Sequence, residues 1–394
     1  MNILEEIQNC PVEWKELGEV CSVKKGKQLN KNLLTEDGLY PAYNGGQTYS
    51  GRTNDYNVEA NTIIVSQGGA SAGFVNFVDT KFWANAHCYY ILSDETRVNN
   101  RFVYHFVKMN QKYLMDFQHG AGIPALKADK LSKLLLPIPP LEIQEKIVQI
   151  LDKFTDYVTE LTSELTSRKK QYSFYRDKLL SFEDEVYQVE WKTLGEVAEC
   201  LAGATPRTSN SSYWENGTIP WMSSGEVSKG FVYDTEKKIT QEGYDSCSTK
   251  VVPRDTVVIA LAGQGKTRGT VAITKVELCT NQSLCSIVSN DDINSHYLYY
   301  YLKGQYQKLR DISSGEGTRG GLNLKMIRDF RIPVPSLKIQ SRIVQVLDNF
   351  DMVCNDLNIG LPKEIEFRQK QYEYFREKLL TFTAEGVYTE SRVE

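Results

Sequence analysis

The chain has 394 residues, of which 41% are hydrophobic and 24% charged, with 46 Lys+Arg against 50 Asp+Glu for a formal charge of −4. At roughly 150 residues per domain this length predicts two or three domains, and the composition is that of a folded chain rather than a disordered one. The mild acidity excludes a generic nucleic-acid coat, so any nucleic-acid contact has to come from local basic loops.

The opening MNILEEIQNC lacks the basic and apolar regions of a signal peptide, and no apolar run reaches the ~18 residues of a membrane span. Both point to the cytoplasm. VEWKELGEV (12–20) sets Trp14 beside Leu17, as expected for packing at a domain entry. SVKKGKQLNK (22–31) places Lys24, Lys25, Lys27 and Lys31 in a glycine-containing loop. TIIVSQGGASAGFVNFV (62–78) reads as strand, glycine-rich loop, strand, with Gln67, Gly68, Gly69, Ser71 and Gly73 in the loop. RFVYHFVKMNQKYLMDF (101–117) has helical spacing, and its aromatics read as core. After the loop QHGAGIPALKADK (118–130), PIPPLEIQEKIVQILDKF (137–154) predicts an extended entry and then a helix. In that helix Ile143, Ile147, Ile150, Phe154, Tyr157 and Leu161 form a heptad seam, and RKKQYSFYRDKLLSF (168–182) carries it on, shifted, with its cations on an exposed face.

The second half then repeats the first. VEWKTLGEV (189–197) matches 12–20 at eight of nine positions, PVPSLKIQSRIVQVLDNF (333–350) matches 137–154 at eleven of eighteen, and RQKQYEYFREKLLTF (368–382) matches 168–182 at nine of fifteen. The second seam is Ile339, Ile343, Val346, Phe350, Val353 and Leu357, and four additional residues containing Gly360 and Pro362 stop one helix and open another. Each frame amounts to roughly 40 residues of helix, about 60 Å if continuous. Two matching seams favour a mutual coiled coil, the alternative being that each helix packs only on its own domain. The interiors between the frames align poorly outside a few glycine-rich positions. TVVIALAGQGKTRGTVAI (256–273) again reads as strand, loop, strand, and HYLYYYLKGQYQKLRDI (296–312) again as helix, while Arg207 lies in LAGATPRTSNSS (201–212) and Arg319 in SSGEGTRGG (313–321). The frames therefore do one job twice, and the interiors do related jobs on different targets.

Catalytic signatures are missing. LAGQGKTRG has Gly265, Lys266 and Thr267 of a phosphate loop, but alanine stands at 260 where the pattern needs glycine. The repeated Glu-Trp-Lys is half of a metal-nuclease signature without its second acid, and there is no Asn-Pro-Pro-aromatic element. The eight cysteines are scattered without CxxC and read as reduced thiols, and the four histidines form no HxxxH, so neither a disulfide framework nor a zinc site is expected.

Two variable regions, each followed by P-x-P-x-L-x-x-Q-x-x-I-V-x-x-L-D and then R-x-K-Q-Y-x-x-x-R-x-K-L-L-x-F, resemble the specificity subunit of type I restriction–modification enzymes over residues 12–382. The resemblance implies an α+β chain with two similar target-recognition domains held apart by conserved helices packed as an antiparallel coiled coil, in an internal pseudo-two-fold duplication. The expected boundaries are 1–140 and 184–335 for the recognition domains, and 141–183 and 336–394 for the helical regions and tail. It implies a non-catalytic subunit that reads a bipartite, asymmetric double-stranded DNA target and docks two methylation subunits, to which restriction subunits add. No cofactor is expected on this chain: S-adenosylmethionine, ATP and magnesium belong to the partner subunits. The residues expected to touch DNA are Lys25, Lys27 and Gln67 in the first domain, and Arg207, Gln264, Lys266, Arg268 and Arg319 in the second. The rival reading is a protein-binding scaffold whose two heads grip proteins, which strongly salt-dependent DNA binding would exclude.

Overall fold

The computed structural model describes residues 3–116, 125–182, 189–263, 266–313, 321–356 and 358–382. It divides into two compact units, one of residues 1–162 with 364–394 and the other of residues 163–363. Both are built on one plan.

In the first unit, four strands form an antiparallel sheet ordered Cys21–Lys25, Cys88–Ser93, Thr62–Ser66, Val75–Val78. Beside it lies a three-stranded sheet in which Tyr40–Tyr43 pairs antiparallel with Gly51–Thr53 and parallel with Trp83–Ala84. The second unit repeats the order with Ala198–Ala202, Leu284–Ser289, Val257–Ala260 and Val271–Thr274, adds Phe231–Val232 at the edge, and carries a matching three-stranded sheet of Lys237–Ile239, Ile219–Met222 and Cys279–Thr280. Interiors that align poorly as sequence are thus one topology, because strands buried on both faces, such as Thr62–Ser66 and Val257–Ala260, constrain residue class and not identity.

One helix lies on the main sheet of each unit, α1 (Asn100–Met109) and its counterpart α3 (Ser295–Gly304), while the frames supply α2 (Leu141–Ser181) and, in the second copy, α4 (Leu337–Asn355), which packs on α3, followed by α5 (Leu361–Leu380). Asn99 and Asn294 cap α1 and α3 by accepting two backbone N–H bonds each. The aromatics of these helices are core: Phe102, Tyr297, Tyr299 and Tyr300 are fully buried. The expected break is present, since α2 runs 41 residues whereas the second frame stops at Asn355 and restarts at Leu361. At Gly360 a Cβ would lie 2.5 Å from the Met352 carbonyl oxygen, which leaves room only for glycine.

The helix pairing combines the two frames. Within the first unit Phe154 of α2 stacks on Phe375 of α5 at 5.1 Å, and within the second unit Tyr175 of α2 stacks on Phe350 of α4 at 5.7 Å. Each unit therefore joins the opening of one frame to the closing of the other. The seam expected from the heptads holds only in part. Ile143, Ile147 and Ile343 are buried, but Tyr157 is 51% exposed and Val346 and Val353 are also exposed. The stripe that is buried runs through Gln144, Ile147 and Leu151, and through Gln340, Ile343 and Leu347. It faces the helix's own sheet domain for its first three turns, because spacings of three and four keep one face on a straight helix.

That stripe explains the repeated motif. Gln144 and Gln340 are fully buried, and each Oε1 accepts the N–H of the residue at the neighbouring helix cap, Asn99 or Asn294, at 2.7 Å. Each Nε2 donates to the proline carbonyl at the helix entry, Pro139 or Pro335, at 2.8 Å. One turn-pair further, Asp152 accepts from His105 Nε2 at 2.7 Å and from Arg101, while Asp348 accepts from the Tyr300 hydroxyl at 2.5 Å. His105 sits between Asp152 and the Tyr372 hydroxyl, 3.0 Å from Nδ1, and burial pulls its pKa below the usual histidine value against the opposing pull of Asp152. Neutral His105 donating to Asp152 and accepting from Tyr372 satisfies all three groups. The Gln and the Asp of the motif are thus the polar latches that seat each frame helix on its domain.

The repeated tryptophans depart from expectation. Leu17 and Leu194 are fully buried, but Trp14 and Trp191 are 36% and 45% exposed. Each lies on a two-stranded ribbon opposite a proline, Pro137 or Pro333, where the pleat turns it away from the core.

Candidate nucleic-acid interface

Loops gather at one end of each sheet pair, held by backbone bonds that correspond between the units. In the first unit the N–H groups of Gly26 and Lys27 donate to the Cys88 and Ala84 carbonyls, both at 2.9 Å, and Trp83 Nε1 donates to the Lys27 carbonyl at 2.9 Å. A Cβ on Gly26 would lie 2.2 Å from the Asn85 carbonyl oxygen, so the basic loop hugs the 84–88 turn. The Gln67 N–H donates to the His87 carbonyl at 2.8 Å, and the Gln67 carbonyl accepts from Leu126 at 2.7 Å. In the second unit Ala204 N–H donates to Thr280, Leu261 N–H donates to Ser283, and Leu322 N–H donates to Leu261, at 2.9, 2.8 and 2.8 Å. A Cβ on Gly203 would lie 2.0 Å from the Thr280 carbonyl oxygen.

These bonds align the two glycine-rich loops. Gly73 N–H donates to Ser66 at 2.8 Å and Gly269 N–H donates to Ala260 at 2.9 Å, each glycine having a positive φ, 89° and 81°. The loop of the second unit is two residues longer between these anchors, and the residue equivalent to Gln67 is Leu261.

The structure brings Lys25, Lys27 and Gln67 around the 84–89 turn, since Lys25 pairs with Tyr89 in the sheet register. Lys25 and Lys27 are exposed, while Gln67 is half-buried. In the second unit Arg207 and Lys266 are exposed. The Arg207 carbonyl accepts from Trp214 Nε1 at 3.3 Å, and Trp214 packs edge-on against Trp221 at 5.0 Å, which steadies the loop that presents Arg207. Among the described residues none of Lys25, Lys27, Arg207 and Lys266 has an ion-pair partner. Arg268 departs from the expected display: only 8% of it is exposed, because it occupies the buried side of its turn. Gln264 and Arg319 lie outside the described residues.

Sequence reasoning passed over Asn85 and Asn281, one in each unit, which close equivalent turns by accepting from Cys88 and Leu284. Their signal was an asparagine inside an apolar strand pair in both halves. Exposed cations without acid partners, beside backbone N–H groups and polar loop side chains, suit phosphate and base-edge contacts. Among the described residues no group of three or more His, Cys, Asp or Glu is placed to hold a metal ion, and no helix is long and apolar enough to cross a membrane.

The family described as the type I restriction modification DNA specificity domain matches residues 11–168 and again 188–367. The chain belongs to that family. It is 33% identical to the specificity subunit of the Escherichia coli type I restriction enzyme EcoR124I/EcoR124II, over 97% of each chain. A Haemophilus influenzae protein named as a type I restriction enzyme specificity subunit is 31% identical, over 96% of this chain and 97% of that one. The S subunit of a Mycoplasma genitalium type I restriction–modification system has the same fold, with a TM-score of 0.66 at 22% identity, covering 95% of this chain and 98% of that one. This specificity subunit therefore carries two copies of the family's domain, one in each half, as the duplicated frames indicate.

Proposed function

We propose that this specificity subunit is the non-catalytic DNA reader of a type I restriction–modification assembly, with each unit reading one half of a bipartite, asymmetric target. The carrying observation is the pair of loop clusters: equivalent backbone bonds, but different side chains, with Lys25 and Lys27 on one and Arg207 and Lys266 on the other. One scaffold bearing two reading surfaces recognises two unlike half-sites. The frames repeat where the loops differ, so two copies of one methylation subunit can dock on equivalent faces without this chain dimerising, and restriction subunits join that assembly.

Electrophoretic or anisotropy titration of the complex assembled with its methylation subunits tests the reading. Changes confined to the loops of one unit alter preference in one half-site, and affinity falls steeply with salt. Preference shifting in both halves together, or no DNA binding by the assembled complex, contradicts it.

A further inference from the structure

We propose that the turn Lys266–Gly269, seated on the helix Tyr306–Asp311, is an anion site that takes a backbone phosphate flanking the second half-site; this rests on the DNA-reading function proposed above. The observation is Arg268. It is more than nine-tenths buried, and its Nε and Nη1 are buried without a hydrogen-bond partner among the described residues. A guanidinium does not give up its proton in a protein, so burial leaves an uncompensated positive charge.

The fold does not require that charge. The backbone bonds set Ser71–Phe74 of the first unit equivalent to Thr267–Thr270 of the second: Phe74 N–H donates to Ser71 at 2.9 Å, and Thr270 N–H donates to Thr267 at 3.0 Å. Arg268 therefore stands where the first unit has Ala72, which is fully buried and apolar. The helix beneath shows the same exchange. It begins directly after the cap residue of the preceding helix in both units, Asn110 and Gln305, so Arg310 stands where the first unit has Met115. Two positions that carry uncharged side chains in the first unit, Ala72 and Met115, thus carry cations in the second.

The turn is also built rather than slack. The Tyr306 hydroxyl donates to the Lys266 carbonyl at 3.0 Å, Arg310 Nη1 donates to the Arg268 carbonyl at 3.3 Å and lies 3.1 Å from the Tyr306 hydroxyl. Lys266 adds an exposed cation two residues before Arg268. A phosphodiester is an acceptor that can satisfy the guanidinium's free N–H groups, and the side chain turns outward from its buried seat to meet it.

Arg268→Ala, which installs the residue of the first unit, tests this in the complex with the methylation subunits. The probes are a duplex carrying the motif that methylation mapping gives, and the same duplex with each base pair of the second half-site changed in turn. The expected result is an unchanged or higher Tm, about tenfold weaker binding to every duplex alike, and a log–log salt slope shallower by about 0.9. Arg268→Lys restores part of the slope. Inorganic phosphate up to millimolar levels raises the Tm of the wild-type chain no more than that of the variant, which separates a duplex phosphate from a free-anion site. Unchanged affinity and slope, a loss at one base pair only, or a lowered Tm overturns the inference. Failure of the wild-type complex to bind any duplex overturns instead the function on which it rests.

Discussion

Replacing Gln340 by leucine keeps the volume of the side chain nearly constant and removes its polar end. The wild-type amide takes the Asn294 N–H at 2.7 Å and supplies N–H to the carbonyls of Pro335 at 2.8 Å and Asp292 at 3.1 Å, in a seat with no solvent exposure. Each group left unpaired there costs about 1–3 kcal/mol, while the leucine regains about 1–2 kcal/mol of apolar burial. The net expectation is a loss of about 3 kcal/mol, well above the ~1 kcal/mol of Ile343→Val on the same stripe. Equilibrium urea denaturation gives the total, and amide hydrogen exchange locates it: the start of α3 loses protection while α1 keeps its own. Gln144→Leu reverses the pattern, loosening α1 through Asn99. A loss below about 1 kcal/mol, or loss of protection at both helices in either variant, refutes the latch as the reason for the repeated glutamine.

Three other perturbations have defined outcomes. His105 is held neutral by burial, with its pKa below the unfolded value while Asp152, Arg101, Tyr104, Tyr372 and Arg376 face it. Its stabilising contribution is therefore complete above about pH 6.5 and is lost as the pH falls through the lower folded-state value; His105→Gln flattens the stability profile of the first unit in that window, and an unaltered slope contradicts the assignment. Gly73→Ala combines φ = 89° with a Cβ 2.7 Å from the Leu114 backbone and costs more than about 2 kcal/mol, whereas Gly69→Ala, with φ = 74° and nothing within 4 Å, costs only about 1–2 kcal/mol; equal Tm losses refute the close approach. Lys25→Ala with Lys27→Ala lowers the salt slope of duplex binding by about 1–2 if both touch phosphate, and an unchanged slope removes them from the interface.

The frames were legible because their period was written twice. Pro-x-Pro entries, the Gly360 break and the aromatic helices follow from local chemistry that acts within a few residues. What the heptad reading missed is the direction of the stripe. Gln144 and Asp152 recur as Gln340 and Asp348, yet a polar residue on an apolar face counts against burial in a periodicity count, although paired polar groups are buried freely. The loops were legible as loops, but not in register. Gln67 and Gln264 share a residue type, whereas the equivalence of Gln67 with Leu261 resides in bonds to the His87 and Ser283 carbonyls, which leave no mark on side-chain identity. Arg268 shows the same limit: a cation in a glycine-rich loop reads as displayed, while the turn's geometry places it where the first unit buries Ala72.

Two unlike reading surfaces on one duplicated scaffold are proposed to direct DNA modification. The most direct measurement is a genome-wide map of N6-methyladenine in cells with and without this specificity subunit, its methylation partner being present in both. The expected result is a two-part, asymmetric motif methylated only when the chain is present, with one part altered when the loops of one unit are changed. Identical maps, with the partner shown to be expressed and bound, contradict it and favour a scaffold whose heads grip proteins.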